Sequence, residues 1–170
     1  STTLVAPSHN IRALVERHVG DAAFYWQQHD KSAHSPLLTL ADLSSFDRLL
    51  NAHLDGVEVA GIDAQLAALQ ALQRWRGPGE MFVCAYLVLK RSPKDSSENW
   101  KKICDVLGSD PQRMLRGLIS ALLWRDQTLV APWMDYLGRP DQPVAWQVAF
   151  WRAIACEPAL VRMDGLSRDG

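Results

Sequence analysis

Apolar residues recur with helical spacing along most of this chain. Between residues 10 and 29 they mark one side of a predicted helix: Ile11, Leu14, Val15, Val19, Ala22, Ala23 and Trp26. Ser44 and Asp47 resemble a capping box, which predicts a second helix from there to about Val59. Gly61 separates it from a third helix that ends near Trp75, before the helix-breaking sequence RGPG.

A repeat of 32 residues follows this break. The segments that begin at Gly79, Pro111 and Pro143 share their apolar positions, and the segments that begin at Ser96 and Thr128 align in the same way. Two helices in each 32 residues are typical of HEAT-like antiparallel pairs, which stack as an α-solenoid.

The whole pattern predicts one all-α domain over residues 1–170, with about eight helices. Residues 10–75 would form N-terminal helices, and residues 79–156 would form the HEAT-like repeats. After residue 156 the apolar pattern is too sparse for a further full helix. Two interpretations stay open for this tail: it caps the stack, or the chain is part of a longer protein.

Composition is that of a globular protein, since 48% of the residues are hydrophobic and 22% are charged. No apolar run approaches the roughly 20 residues that a membrane helix needs, and the first residues lack the layout of a signal peptide. Three widely spaced cysteines, Cys84, Cys104 and Cys156, favour buried reduced thiols over disulfides. We therefore expect a cytoplasmic protein that does not bind a membrane.

The stretch RHVGDAAFYWQQHD, residues 17–30, is rich in groups that could carry chemistry. On a helix, four of them fall within an arc of roughly 80°: His18, Asp21, Tyr25 and His29. This arc would suit a metal site or acid–base catalysis. It also suits a packing helix with hydrogen-bonded polar groups at the edge of a core, and this second interpretation is favoured. His53, on the apolar side of the second helix, is interpreted as a core residue.

No spacing typical of a catalytic nucleophile, a phosphate-binding loop, a dinucleotide site or a zinc site occurs in the chain. We therefore expect no catalytic residue, no metal and no cofactor. The sequence predicts a binding protein rather than an enzyme.

The second helix has an acidic side that points away from its apolar side. Its residues, with the two acids that flank them, are Asp42, Asp47, Asn51, Asp55, Glu58 and Asp63. Such a cluster is either a solvated helix face or a docking surface for a basic partner. Acidic surfaces on nuclease inhibitors act in the second way, because carboxylates compete with phosphates for the same basic groove.

A basic segment offers an alternative function. Residues 74–102 carry seven basic and three acidic side chains, whereas residues 1–73 carry four basic and eight acidic ones. Together with the tryptophans of the repeat region, this segment would suit a HEAT-like nucleic-acid enzyme similar to the alkylpurine DNA glycosylases. The net charge of −1 gives the chain no overall basic footprint, so nucleic acid is the less favoured partner.

Two motifs, RHVGDAAFYWQQHD and LADLSSFDRLLNAHLDGVEVAG, resemble the N-terminal region of an uncharacterised proteobacterial family of HEAT-like helical proteins. The match covers about residues 10–62, and the matching positions are His18, Ala22, Phe24, Trp26, Asp30, Leu40, Asp42, Leu43, Phe46, Asp47, Ala52, His53, Leu54, Asp55, Gly56 and Gly61. The chain departs from the family pattern at His29, where arginine is commoner, and in the segment FDRLL.

Genes of this family often lie beside genes for type VI secretion effectors, and one such neighbour looks like the immunity protein of a nuclease toxin. The resemblance therefore implies a cytoplasmic immunity protein that neutralises its cognate effector toxin, a nuclease, by direct binding. It implies no catalytic residue. An effector chaperone or loading adaptor is the alternative within the same class of binding proteins, and the sequence leaves the oligomeric state open.

Overall fold

Residues 7–33 and 40–156 are described by the computed structural model, and within these ranges the chain forms eight α-helices and no strand. In chain order the helices are α1 (Pro7–Ser32), α2 (Leu40–Ala60), α3 (Ile62–Trp75), α4 (Pro78–Val88), α5 (Ser97–Ser109), α6 (Pro111–Trp124), α7 (Gln127–Leu137) and α8 (Val144–Cys156), with a 3-10 turn at Lys94–Ser96 before α5. The predicted all-α class is confirmed. None of these helices combines the length and the apolar character that crossing a membrane requires.

The helix boundaries follow the sequence signals, with one correction. Gly61 has a φ of 62° between α2 and α3, and Arg76 has a φ of 48° directly after α3. Both predicted breaks are therefore confirmed as left-handed positions that end the helical path. The predicted start at the Ser44 capping box is wrong, because α2 begins at Leu40 and Ser44 lies in its second turn.

Helix α4 has no polar side. The residues from Met81 to Leu89 are all buried, and α4 contacts α1, α3, α5 and α6. A helix that is hydrophobic all round has to be enclosed by other helices. Helix α4 is therefore the centre of the core that the described residues form.

Two glycines let the neighbouring helices approach closely at α4. A Cβ on Gly79 of α4 would lie 2.5 Å from the carbonyl oxygen of Ala23 in α1. A Cβ on Gly117 of α6 would lie 2.2 Å from the carbonyl oxygen of Pro78. Because backbone atoms occupy both places, a larger side chain would have to move one helix away from the other.

The predicted apolar side of α1 is buried along its central part: Val15, Val19, Ala22, Ala23 and Trp26. Ile11 and Leu14 belong to the same predicted side but are more than half exposed. Helix α1 has 26 residues, whereas α3 and α4, which pack against it, have 14 and 11. These shorter helices cover only part of the length of α1.

The repeat appears in the helix boundaries. The first helices of the three copies begin at Pro78, Pro111 and Val144, within one residue of the predicted positions. Helix α4 contacts α6, and α6 contacts α8, as neighbouring members of a stack would. The HEAT-like solenoid arrangement itself stays a prediction.

Tryptophans join the later helices. The ring of Trp100 in α5 has its centroid 4.5 Å from that of Trp133 in α7 and 4.1 Å from that of Trp146 in α8. All three are buried, as a core role predicts, whereas Trp151 of α8 is 66% exposed. This aromatic cluster forms the second half of the core.

Replacing Gly117 by alanine should destabilise the fold, because the new methyl group would meet the backbone of α4. We expect the free energy of unfolding to fall by about 1–3 kcal/mol, measured by urea denaturation. Gly108→Ala is the matched control, since a Cβ there meets nothing within 4 Å and alanine is favoured in a helix by up to about 1 kcal/mol. Equal effects of the two substitutions would contradict the close approach of α4 and α6.

Candidate partner-binding surface

The structure divides the predicted acidic residues into two groups. Three of them contact side chains of α1 or of the end of α6: Asp47, Asn51 and Glu58. Asn51 is exposed, as are Asp42, Asp55 and Asp63. At least three of the six predicted residues are therefore committed to contacts within the chain.

The internal contacts of Asp47 and Asn51 form a cluster that we call the polar seam, which consists of His29, Asp47, Asn51 and Trp124. Nδ1 of His29 lies 2.6 Å from Oδ1 of Asp47, an ion pair when the imidazole is protonated. The two atoms are shielded from solvent, and their alignment is not that of a hydrogen bond. Trp124 Nε1 donates to Asn51 Oδ1 at 2.9 Å, and the His29 ring packs edge-on against the same indole. The polar seam joins α1, α2 and α6.

Arg125, directly after α6, is the one charged side chain that is buried among the described residues. Its Nε donates to the carbonyl oxygen of Tyr86 at 2.8 Å, and its Nη1 pairs with a carboxylate oxygen of Glu58. The guanidinium lies 3.6 Å from the centre of the Tyr86 ring, while Nη2 is buried without a hydrogen-bond partner. Glu58 thus neutralises a charge inside the fold, where an uncompensated cation would be costly.

Burial favours the uncharged forms of one tyrosine and two cysteines. Burial raises the pKa of Tyr86, Arg125 opposes that shift, and Glu58 and Asp55 add to it. Burial also raises the pKa of Cys84 to about 12 and that of Cys104 to about 11. Neither thiol is therefore available as a thiolate nucleophile at neutral pH.

The cysteines are all free, as the sequence predicts, but they are not all buried. Cys84 is buried, Cys104 is half-buried and Cys156 is exposed. The expectation of burial is therefore wrong for Cys156, which lies at the end of α8.

His18 of α1 and His53 of α2 form a direct contact between the two helices. Their Nδ1 atoms are 3.1 Å apart, and their ring centroids are 5.3 Å apart. The rings therefore point at each other, which is the geometry of a hydrogen bond between one protonated and one unprotonated nitrogen. The Tyr25 ring stacks on His53 at 5.3 Å. This half-buried pair fits the packing interpretation of the first helix.

The remaining polar residues of the stretch 17–30 are not gathered with this pair. Asp21 lies 3.9 Å from Arg17 on the same helix, and His29 belongs to the polar seam. In the part of the chain that the structure describes, no group of three or more His, Cys, Asp or Glu side chains is placed to hold a metal ion.

Exposed aliphatic and acidic side chains occur together where α2 turns into α3. Val59 is 90% exposed, Ile62 61% and Leu66 53%. Asp55 and Asp63 are exposed beside them in the chain. We define these five residues as the corner surface. Apolar side chains that are grouped and rimmed by polar ones are typical of a protein-binding site.

A groove of about 250 Å³ continues the corner surface toward α5. Ile62 and Leu66 lie on the α3 side of it, and Asp95, Glu98 and Arg91 lie on the other side. The groove therefore combines an apolar wall with an excess of negative charge, which suits a partner segment that carries both apolar and basic side chains.

The acidic pattern alone does not predict the aliphatic part of this surface. The phase of α3 does not predict it either, because Leu69 shares a side of the helix with Ile62 and Leu66 and is buried. Ala64 and Ala68 lie on the opposite side and are buried. In α3 these alanines are thus buried together with Leu69 and Leu72, whereas Ile62 and Leu66 face outward.

The seven basic residues of the segment 74–102 are all exposed, and four of them lie at opposite ends of α4. Arg74 and Arg76 lie before α4, and Lys90 and Arg91 lie after it. The 11 residues of α4 separate these two pairs by roughly 16 Å. The arrangement of these four residues gives the nucleic-acid hypothesis no support.

Comparison with known proteins finds no matching family, no matching curated protein and no matching solved structure. The family resemblance of residues 10–62 therefore stays a prediction.

Glu58→Gln should destabilise the protein, because it keeps the shape of the side chain but removes the counter-charge of Arg125. We expect the free energy of unfolding to fall by about 2–3 kcal/mol, measured by urea denaturation at neutral pH. Asp55→Asn, on an exposed position of the same helix, should change it by no more than about 0.5 kcal/mol. If both variants were equally stable, the internal role of Glu58 would be excluded.

His53→Ala should weaken the packing of α1 on α2, since it leaves His18 without its partner and removes the ring on which Tyr25 stacks. A loss of about 1–3 kcal/mol is expected. His18→Ala should cost a similar amount, and the double variant should cost clearly less than the two losses added together. Thermal or urea unfolding of the four proteins measures this coupling, and strict additivity would show that the two rings do not interact.

Proposed function

We propose that this protein is an immunity protein that neutralises an effector toxin of type VI secretion, a nuclease, by binding it in the cytoplasm. The observation that carries the proposal is the corner surface, where three exposed aliphatic side chains and two exposed acids occur within residues 55–66. A binding protein needs such a surface, whereas a water-facing helix pair does not.

The chemistry of the corner surface suits a nuclease as partner. Nucleases bind their substrate through basic surfaces that contact phosphates. Asp55 and Asp63 offer carboxylates to the same basic side chains and would accelerate the encounter over a distance. Val59, Ile62 and Leu66 would then be desolvated in the complex and slow its dissociation.

The internal polar contacts support a binding role in a different way. His18 with His53, and Glu58 with Arg125, satisfy one another between helices, so these pairs explain their residues without any reaction. The inner polar groups hold the helices in place, and the corner surface is left available for a partner.

Co-expression with the cognate effector toxin tests the function. An immunity protein should restore growth of cells that produce the toxin and should be recovered bound to it. A protein that is needed for secretion of the effector but gives no protection would instead be a chaperone or adaptor, and the immunity proposal would be wrong.

Reversing the charge of the corner surface should slow toxin binding. For Asp55→Lys with Asp63→Lys we expect the association rate constant at low salt to fall roughly tenfold and its dependence on salt to weaken, measured by surface plasmon resonance. Leu66→Ser should act mainly on the dissociation rate constant, because it removes apolar contact area rather than charge.

Asp105→Lys with Asp141→Lys is the matched control for this experiment. It changes the net charge by the same amount at exposed positions outside the corner surface. If the control slowed association as much as the corner variant does, overall charge rather than the corner surface would govern binding.

A further inference from the structure

A second groove, of about 230 Å³, lies between α1 and α3 on another side of α3 from the corner surface. Small residues form much of its lining: Gly20 on α1, and Ala67 and Ala71 on α3. A Cβ on Gly20 would meet nothing within 4 Å, so the groove is open at this point. We define this feature as the Trp75 groove, because Trp75 forms one of its ends.

Trp75 is 63% exposed, although burial of an indole is strongly favoured. The Arg74 guanidinium lies 4.9 Å from the centre of its ring, so the chain itself shows that this indole accepts a cation. One cation covers only one face of a ring. The exposure of Trp75 leaves room for a second flat or extended group beside it.

Glu80, in the first turn of α4, brings a carboxylate to the same groove. Its Oε2 is buried and has no hydrogen-bond partner. A Cβ on Gly77 would lie 2.2 Å from this oxygen, so the absence of a side chain at Gly77 is what lets the carboxylate occupy its place. A shielded carboxylate oxygen without a donor is costly, and turning the Glu80 side chain toward an N–H donor in the groove would remove that cost.

Glu16 of α1 adds a second carboxylate to the groove. It is paired with Arg12 at 3.2 Å, but both side chains are more than half exposed, and such pairs contribute little stability. Glu16 can therefore exchange Arg12 for another cation at small cost. With Arg74 as the one basic side chain among the lining residues, the groove carries two acids and one base.

We propose that the Trp75 groove binds a cationic side chain, arginine or lysine, of the partner protein. The aliphatic stem would lie over Gly20 and the alanines, the charged head would contact Trp75, and its N–H groups would donate to Glu80. The identity of the ligand as part of a partner protein rests on the proposed function, whereas the preference of the groove for a cation does not.

The groove and the corner surface lie at opposite ends of α3 and on different sides of it. Helix α3 begins at Ile62 in the corner surface and ends at Trp75 in the groove. Its 14 residues span about 20 Å, well within the width of a protein interface of standard size. A partner that contacts both would have to wrap around α3, with apolar side chains at one end and a cationic anchor at the other.

The test uses the full chain and a small probe, N-acetyl-arginine amide. In ¹H–¹⁵N correlation spectra of the ¹⁵N-labelled protein, the Trp75 indole and Gly20 amide signals should shift as the probe concentration rises. The affinity should be weak, as expected of so small a ligand. N-acetyl-citrulline amide, which has nearly the same shape but no charge, should produce much smaller shifts. N-acetyl-lysine amide should act like the arginine probe.

Variants then locate the binding site. Glu80→Gln should weaken binding of the arginine probe roughly threefold or more, and Trp75→Ala should abolish the shift at Gly20. Trp151→Ala is the matched control, because Trp151 is equally exposed but lies on α8, and it should leave binding unchanged. Equal shifts with the arginine and citrulline probes, no shift at Gly20, or no effect of Glu80→Gln would each overturn the proposal.

A separate measurement distinguishes this inference from the proposed function. Trp75→Ala and Glu80→Gln should raise the dissociation constant of the toxin complex by about tenfold. If the arginine probe binds but the protein gives no protection against the toxin, the cation-binding groove is supported and the immunity function is contradicted. If the protein protects against the toxin but the probe does not bind, the immunity function is supported and the cation-binding groove is contradicted.

Discussion

Burial of α4 on every side is the constraint on which the rest of the structure depends. Residues 81–89 carry no side chain that can face water without cost, so four other helices have to surround them. Helices α1 and α6 approach α4 closely because Gly79 and Gly117 lack a Cβ where the backbone of a neighbouring helix lies. The position of α1 and α6 relative to α4 is thus set by backbone contact as well as by side chains such as Trp26 and Phe82, whose rings stack.

This close packing explains the polar contacts that surround α4. Once α1 and α6 lie against α4 and α2 lies against α1, side chains at their edges lose water and have to find partners within the chain. Arg125 meets this requirement with the Tyr86 carbonyl oxygen and Glu58, and His18 meets it with His53. Trp26, on the other side of α1, donates its indole N–H to Ser120 of α6 at 2.8 Å. These polar contacts thus help to determine which helices pack against one another.

How much the sequence predicts depends on whether the signal is local. Helical periods, Gly61 and RGPG predict the helices, because backbone conformation is decided over a few residues. The ion pair of Arg125 with Glu58 cannot be predicted in this way, because Glu58 is 67 positions away in the chain and no sequence period connects the two residues. For the same reason the acidic side of α2 is predicted as a whole, although Asp47 and Glu58 turn out to be paired and Asp55 does not. Burial of a polar side chain becomes visible only when a second helix is placed beside the first.

This division of the acidic residues determines which of them present charge to a partner. A carboxylate that is paired with a buried guanidinium presents little net charge outside the molecule, so Glu58 adds little to the field around the corner surface. Asp55 and Asp63 are exposed and lie near the exposed Val59 and Ile62 in the chain, so their charge is open to a partner. Charge reversal at these two positions can therefore change association without disturbing α4, whereas the same change at Glu58 would first disrupt the fold. An acidic patch identified from sequence has to be separated into these two kinds of residue before any of its members is assigned to binding.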